Sequence, residues 1–309
     1  MALIAYLQLS DDNSTTPIYN VCDYHYHATR PHNNKRPDGD ARCEQIQFTV
    51  YVPQKSDPTF YEWFITGVSW SGIIFIHLSS SVSDNVTTYY YKKVAFTDAV
   101  CESITENYSA AEGQLRKLTL SIVASKVEME DISGSEITAT NEACIAFYGV
   151  VADVDLNTNA LPISGITQFL QLETFHYDCK RSRNYEGIPF GAPETATLDF
   201  CFKLEKASKG ATFYSSLTSN NPITFSFLFD TNFDSTKVYL HDCAFGVVAR
   251  GYVIDVRETY DKDTGSEGKP QLMMMTVTLL VANILFIKSG SVTNSKPKYE
   301  SSVLTITND

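Results

Sequence analysis

The residues best suited to chemistry in this 309-residue chain are metal-ligand types gathered near its start: Cys22, His25 and His27. Alternate side chains of a β-strand share one face. His25 and His27 therefore point the same way, as paired metal ligands can, whereas Cys22 points to the other face. The second half of the chain keeps only one matching histidine, His176. We interpret these residues as ordinary strand residues and expect no metal site.

Two aspartates, Asp98 and Asp242, occupy matching inward positions in the two halves of the chain. Neither has a histidine or serine at a spacing that would make a nucleophile and its base. The sequence has no GxSxG, HExxH or Gly-rich phosphate loop. We expect the aspartates to accept backbone hydrogen bonds at a bend or to lie at a subunit contact. No catalytic residue and no cofactor are predicted, so an enzyme is not expected.

Charge and composition exclude further classes of protein. The formal net charge is −12, whereas a nucleic-acid-binding protein needs a basic surface. No apolar stretch has the ~20 residues of a membrane helix, and the first residues lack the basic region of a signal peptide. We expect a cytoplasmic protein that is not inserted in a membrane. The seven widely spaced cysteines include no CxxC pair and indicate reduced thiols.

Alternation of apolar and polar residues dominates the sequence and predicts β-strands. Ile46, Phe48, Val50 and Val52 show it clearly. One window, 58–65, predicts a short helix with Asp57 as N-cap and with Trp63 and Phe64 in the core. The basic pairs Lys92-Lys93, Arg116-Lys117 and Arg181-Ser-Arg183 are interpreted as solvated strand ends. In an oligomer they could instead meet acidic residues of a neighbouring subunit.

The same order of elements occurs twice along the chain. Tyr24-His25-Tyr26 corresponds to Phe175-His176-Tyr177, and Phe60-Tyr61 to Phe213-Tyr214. Inward and outward positions keep their parity at every matched strand, which predicts a tandem duplication. Each unit would be a six-stranded antiparallel β-barrel or sandwich with one short α-helix. These two architectures cannot be separated from the sequence.

The predicted strands and domain bounds follow from this repeat. Strands are expected near 2–9, 18–30, 43–52, 71–78, 89–103 and 115–129, and then near 144–154, 167–181, 195–205, 222–230, 237–257 and 271–287. We expect a first domain at 1–131, a linker at 132–142, a second domain at 143–288 and a tail at 289–309. Val303, Leu304 and Ile306 in the tail could add an edge strand.

Four motifs of the first unit, taken in order, resemble a known family. They are Glu44–Val50, Phe60–Phe64, Phe96–Cys101 and Leu118–Lys126. This set is similar to the Hcp tube protein of type VI secretion, in the form found in Bacteroidetes-type systems. The second unit matches in pattern but has lost the tryptophan in Phe213–Leu217. The duplication itself departs from the family, whose ordinary member is one unit long.

The resemblance implies a phage tail-tube fold in which six barrels close into a ring and rings stack into a tube. Edge strands of partly open barrels would pair with neighbouring copies. With two units per chain, a trimer would form a pseudo-hexameric ring, either in the tube or as an adaptor between tube and spike. The implied partners are further copies of the chain, tube, spike or sheath proteins, and secreted effectors. Such a protein could be exported as part of an injection apparatus.

The resemblance also implies contacts between stacked rings, through a long loop after the second strand of each unit. These loops are 31–42 and 182–194. The charged and aromatic residues expected to make these contacts are Lys35, Arg36, Asp38, Asp40, Arg42, Arg183, Tyr185 and Glu186.

A second class of function stays open at this point. A protein of two β-barrels could be a binding module that holds a peptide, a glycan or an effector protein in an aromatic cleft. Tyr51, Tyr89 and Tyr91 stand at positions of polar parity and would line such a cleft.

Overall fold

A computed structural model describes most of the chain. The described residues are 3–10, 17–30, 32–33, 36–37, 42–52, 57, 59–113, 115–140, 148–154, 169–204, 211–230, 245–261, 272–288, 290–293, 296–299 and 304–307. No helix within these ranges has the length and apolar character needed to cross a membrane.

The elements of the first unit, in chain order, are β1 Ala5–Ser10, β2 Ile18–Thr29, β3 His32–Asn33, β4 Arg36–Pro37, β5 Arg42–Tyr51, α1 Thr59–Thr66, β6 Trp70–Ser83, β7 Val86–Ser109, β8 Leu115–Val123 and β9 Lys126–Gly134. Those that follow are β10 Tyr148–Val154, β11 Phe169–Arg183, β12 Pro189–Leu204, α2 Ala211–Leu217, β13 Ile223–Asp230, β14 Phe245–Asp261, β15 Leu272–Lys288, β16 Gly290–Thr293, β17 Lys296–Tyr299 and β18 Leu304–Thr307.

Each unit is a closed antiparallel barrel. In the first, the order of hydrogen-bonded neighbours is β1, β2, β5, β8, β7, β6 and back to β1. In the second it is β10, β11, β12, β15, β14, β13 and back to β10. The predicted mainly β fold with two tandem six-stranded domains is confirmed, and closure decides for barrels over sandwiches. The expectation of partly open barrels is wrong.

Several strands nevertheless extend past the barrel wall and so offer further edges for pairing. The 24-residue strand β7 shows how. Its first half pairs with β6 on one side and β9 on the other, and its second half pairs with β8 and with β11 of the second unit. Strand length, and not an open barrel, thus provides the surfaces along which barrels can join.

The two halves of β7 meet at Asp98, which has a left-handed backbone with φ 49°. Its N–H donates to Ser71 Oγ at 3.2 Å. The side chain is exposed, so the predicted inward position is wrong, although the predicted bend is present. A left-handed residue interrupts the alternation of faces, because the strand turns at that point. Asp242 lies outside the described residues.

Helix α1 closes one end of the first barrel. Asp57 Oδ1 accepts the N–H of Thr59 at 3.0 Å, which confirms the predicted N-cap. Trp63 and Phe64 are fully buried, as the sequence predicts. The Trp63 Nε1–H donates to Ala99 O at 3.1 Å, and its ring stacks on Trp70. Because the indole is both hydrogen-bonded and packed against an aromatic ring, it fixes the helix on the barrel.

Two predicted boundaries differ from the structure. The single strand expected at 115–129 is two strands, β8 and β9, with a break at Ala124 and Ser125. Strand β9 then pairs with β7 as far as Gly134, so the first residues expected in the linker belong to the first unit. The tail contributes the edge strand that its alternation predicts, since β18 pairs with β15.

Candidate functional site

The two barrels are joined by a direct strand pairing, here called the inter-barrel seam. It consists of Ser103–Ser109 in β7 and Thr174–Lys180 in β11, paired antiparallel from Thr174 opposite Ser109 to Lys180 opposite Ser103. On the polar face, Thr105 Oγ1 donates to Asp178 Oδ1 at 2.7 Å. His176 Nδ1 lies 2.7 Å from Asn107 Oδ1. The seam therefore joins the two barrels through both backbone pairing and side-chain hydrogen bonds.

A buried ionic cluster lies on the inner face of the seam. Glu106 and Arg116 are fully buried, and Arg116 Nε donates to Glu106 Oε1 at 2.8 Å while Nη2 bonds the same oxygen. The other carboxylate oxygen accepts Tyr61 OH at 3.0 Å and Tyr177 OH at 2.7 Å. A buried charge is tolerated only when it is paired and hydrogen-bonded. Because Tyr177 comes from the second barrel, the cluster ties the two barrels together.

Aromatic contacts extend this cluster into the second barrel. The Arg116 guanidinium lies 4.1 Å from the centre of the Phe229 ring. Tyr108 packs edge-on against Phe229 with ring centres 5.2 Å apart, and its hydroxyl accepts the N–H of Gly149 at 3.3 Å. Cation–π and edge-on aromatic contacts add about 0.5–2 kcal/mol each. One hydrophobic cluster consequently runs through both barrels.

Arg181, from β11, binds the carboxyl end of α1 in the first barrel. Its Nε donates to Phe64 O at 3.1 Å and its Nη2 to Ile65 O at 2.8 Å. The last carbonyls of a helix have no partner within the helix and carry partial negative charge. A cation from the second barrel therefore satisfies the helix of the first.

Arg183 makes a second ionic contact between the barrels. Its Nε donates to Glu102 Oε1 at 2.6 Å and its Nη2 to Glu102 Oε2 at 2.7 Å, a two-point pairing that fixes direction as well as distance. Nη2 also donates to Glu44 O at 3.1 Å. The sequence-based interpretation of Arg116, Arg181 and Arg183 as solvated strand ends is wrong, because all three bind groups of this chain.

The residues predicted to contact a stacked ring fall into four groups. Tyr185 and Glu186 lie in the turn between β11 and β12, where the Tyr185 side chain is 96% exposed. Arg36 and Arg42 are exposed. Lys35, Asp38 and Asp40 lie outside the described residues. Arg183 is engaged within the chain. The stretch predicted as the loop 182–194 is a hairpin, since Arg183 pairs with Pro189.

The candidate metal ligands of β2 are not brought together. His25 Nε2 lies 3.3 Å from Asp23 Oδ2 and is largely exposed, while Cys22 donates through Sγ to Thr49 O at 3.4 Å. Among the described residues, no group of three or more His, Cys, Asp or Glu side chains is placed to hold a metal ion.

The predicted aromatic cleft is wrong at Tyr91. That side chain is buried, and its hydroxyl accepts the N–H of Ile137 at 2.9 Å. Tyr89 is half-buried, and its ring stacks on Tyr91 with ring centres 6.4 Å apart.

The seam predicts a loss of stability at alkaline pH. Burial, followed by the nearby Glu106 carboxylate, raises the pKa of Tyr61 and Tyr177 well above the ordinary value. A raised tyrosine pKa stabilises the fold fully below the unfolded pKa of about 10, and this is lost as pH rises towards the folded pKa. We expect the free energy of unfolding to fall above pH ~10.

The matched comparison is the double variant Y61F/Y177F, followed by urea unfolding at a series of pH values. The decline above pH ~10 should be shallower in the variant. Burial raises the pKa of Tyr24 to about 12. Because Tyr24 is present in both proteins, its effect on the pH dependence of stability cancels in the comparison. Equal slopes would show that the two seam hydroxyls do not carry the effect.

The comparison with protein families finds a match in the first barrel. Residues 1–136 match the family model described as TssD, hemolysin coregulated protein Hcp. One solved structure, Hcp1 from Flavobacterium johnsoniae, is 18% identical, with 43% of this chain and 99% of that chain covered and a TM-score of 0.31. No curated protein matches the chain. Residues 1–136, less than half of the chain, are thus similar to the hemolysin coregulated protein family, Hcp or TssD.

Proposed function

We propose that the protein is a structural ring component of a type VI secretion-like tube, with three chains forming a pseudo-hexameric ring of six barrels. The inter-barrel seam is the observation that carries this proposal. It joins two barrels side by side through backbone pairing, a buried ionic cluster and two arginine contacts. Repetition of such a joint between chains leads to a closed ring when the rotation closes.

The hairpin of β11 and β12 supports a role in stacking such rings. Its turn exposes Tyr185, Ile188 and Phe190. Its base is held by the contact of Arg183 with Glu102. Apolar side chains on a fixed projection are well suited to insert into a partner surface. We propose that this hairpin, with Tyr185 and Glu186 at its turn, contacts the next ring or a neighbouring tube or spike protein.

A place at the junction between tube and spike is the alternative position for the same ring. The two units of the chain differ in sequence, so the ring would be threefold in its chemistry and pseudo-sixfold in its shape. A component of this kind fits a threefold partner on one side and a sixfold partner on the other.

Mass in solution tests the ring. Native mass spectrometry and sizing with light scattering should give a particle of three chains, about three times 34.5 kDa, and negative-stain images should show rings. A mass of one chain at every protein and salt concentration would contradict the proposal.

A further inference from the structure

Each strand of the inter-barrel seam has a counterpart in the other unit. Glu106 of β7 pairs with Leu118 of the adjacent strand β8, just as Val256 of β14 pairs with Val277 of β15. The seam stretch of β7 thus corresponds to Tyr252–Thr259. The seam stretch of β11 corresponds to residues 23–29 of β2, since Tyr177 faces Leu198 as Tyr26 faces Ile46.

Both counterpart stretches have one edge that no described strand covers. Strand β2 pairs with β5 along residues 21–29, but with β1 only over Ile18–Val21. Strand β14 pairs with β15 as far as Asp261, but with β13 only up to Gly251. The uncovered edges are therefore residues 23–29 of β2 and residues 252–261 of β14, the stretches that match the two seam strands.

The helices show the same difference in side-chain burial. In α1, Tyr61 is 1% exposed and Phe64 is 0% exposed. Both are linked to the second barrel, Tyr61 through the Glu106 carboxylate that also binds Tyr177, and Phe64 through the Arg181 guanidinium 5.5 Å from its ring centre. The residues at matching positions of α2 are Tyr214 and Leu217, which are 41% and 40% exposed. Apolar side chains that are exposed in one unit but buried at the matching positions of the other unit indicate a surface that binds a partner.

Strand residues repeat the observation on both edges. Tyr177 is fully buried in the seam, whereas its counterpart Tyr26 is 38% exposed. On the β14 edge, Tyr252 and Ile254 are also exposed. The helix and both free edges thus carry an apolar surface where the seam would continue.

We propose that the β2 edge of one copy pairs antiparallel with the β14 edge of a second copy, in the register of the inter-barrel seam. This register places Tyr26 opposite Val256, and His27 opposite Asp255. The inference rests on the proposed ring and names the surfaces that would close it. The two edges differ, so the contact is head-to-tail and cannot end at a twofold dimer.

The joint between chains differs in chemistry from the seam within a chain. Where the seam has Glu106 and Arg116, the β14 side has Val256 and Met275. The buried ion pair is thus replaced by two apolar side chains. Apolar burial is not weakened by salt as ion pairing is. The joint between chains should accordingly hold at high ionic strength.

Cysteine pairs test the register in the full chain. Oxidation of H27C/D255C should link copies into covalent dimers and trimers on a non-reducing gel, because directly opposite Cβ atoms lie 4.5–5.5 Å apart. H27C/V256C is the matched control, since adjacent residues face opposite sides of the sheet. It should give only the background of the parent chain and of the single variants.

A second variant tests the surface without a disulfide. L217E should raise the concentration at which rings half dissociate by at least about tenfold, with the thermal unfolding of the single chain unchanged. V82E, at a 73% exposed position of β6 that lies on neither edge, should leave that concentration unchanged.

The outcomes separate the two proposals. If rings of three chains form but the control pair cross-links as well as H27C/D255C, the proposed interface is wrong and the ring proposal stands. The same holds if L217E does not change the concentration at which rings dissociate. Absence of rings in the parent chain overturns the ring itself and the interface with it.

Discussion

Replacement of Glu106 by valine should lower the free energy of unfolding by about 3–5 kcal/mol. The change leaves the Arg116 guanidinium buried without its carboxylate, and it removes the acceptor of Tyr61 OH and Tyr177 OH. Urea unfolding of the purified chain measures the loss. The matched control is E112V, which breaks an exposed pair with Lys117 at 3.1 Å and should cost less than about 1 kcal/mol.

The double variant E106V/R116M should recover the part of that loss that comes from the unpaired Arg116 guanidinium. It installs the side-chain types that the second unit already has at the matching positions, Val256 and Met275. An apolar pair that replaces a buried ion pair is often neutral or stabilising. The double-mutant cycle isolates the coupling between the two residues. A double variant as unstable as the sum of the single variants would show that the pair does not act as a unit.

The second large effect is expected at Trp63. Its replacement by alanine should destabilise the protein by about 3–5 kcal/mol, through loss of buried volume and of the bond to Ala99 O. The matched position of the second unit is Ser216, where S216A should cost about 1 kcal/mol. In that unit the helix is held by Phe213, the counterpart of Phe60, which stacks on Phe225 with ring centres 5.5 Å apart.

Thermal unfolding followed by tryptophan fluorescence and by calorimetry measures this difference. Trp70 remains as a reporter in W63A. Equal losses in W63A and S216A would contradict the view that one indole anchors the first helix.

The strands of the barrels were predictable because inward-facing apolar residues alternate with outward-facing polar residues along the sequence. Ile46, Phe48 and Val50 are fully buried, as their alternation requires. Closure was not predictable, because it depends on pairings between strands that are distant in the sequence, such as β1 with β6 and β5 with β8. The left-handed backbone of Asp98 was not predicted either, because aspartate is only one of several residues that tolerate this conformation.

The candidate site was the part that sequence patterns missed. Arg116 has the parity of Leu118 and Leu120, and Glu106 has that of Ile104 and Tyr108. Two opposite charges on inward positions of consecutive strands are the signal that could have predicted the buried pair. A rule that assigns basic residues to the solvent fails here, because the Glu106 carboxylate on the neighbouring strand neutralises the charge of Arg116.

The seam within the chain also changes how many separate bodies a ring must bring together. Each association step loses translational and rotational freedom, at an estimated cost of 4–15 kcal/mol. Two barrels on one polypeptide meet at a high effective concentration, so their joint forms during folding and independently of protein concentration. A closed ring of six barrels then needs three molecules to meet, and it should assemble from a more dilute pool than six single-barrel subunits joined by equally strong contacts.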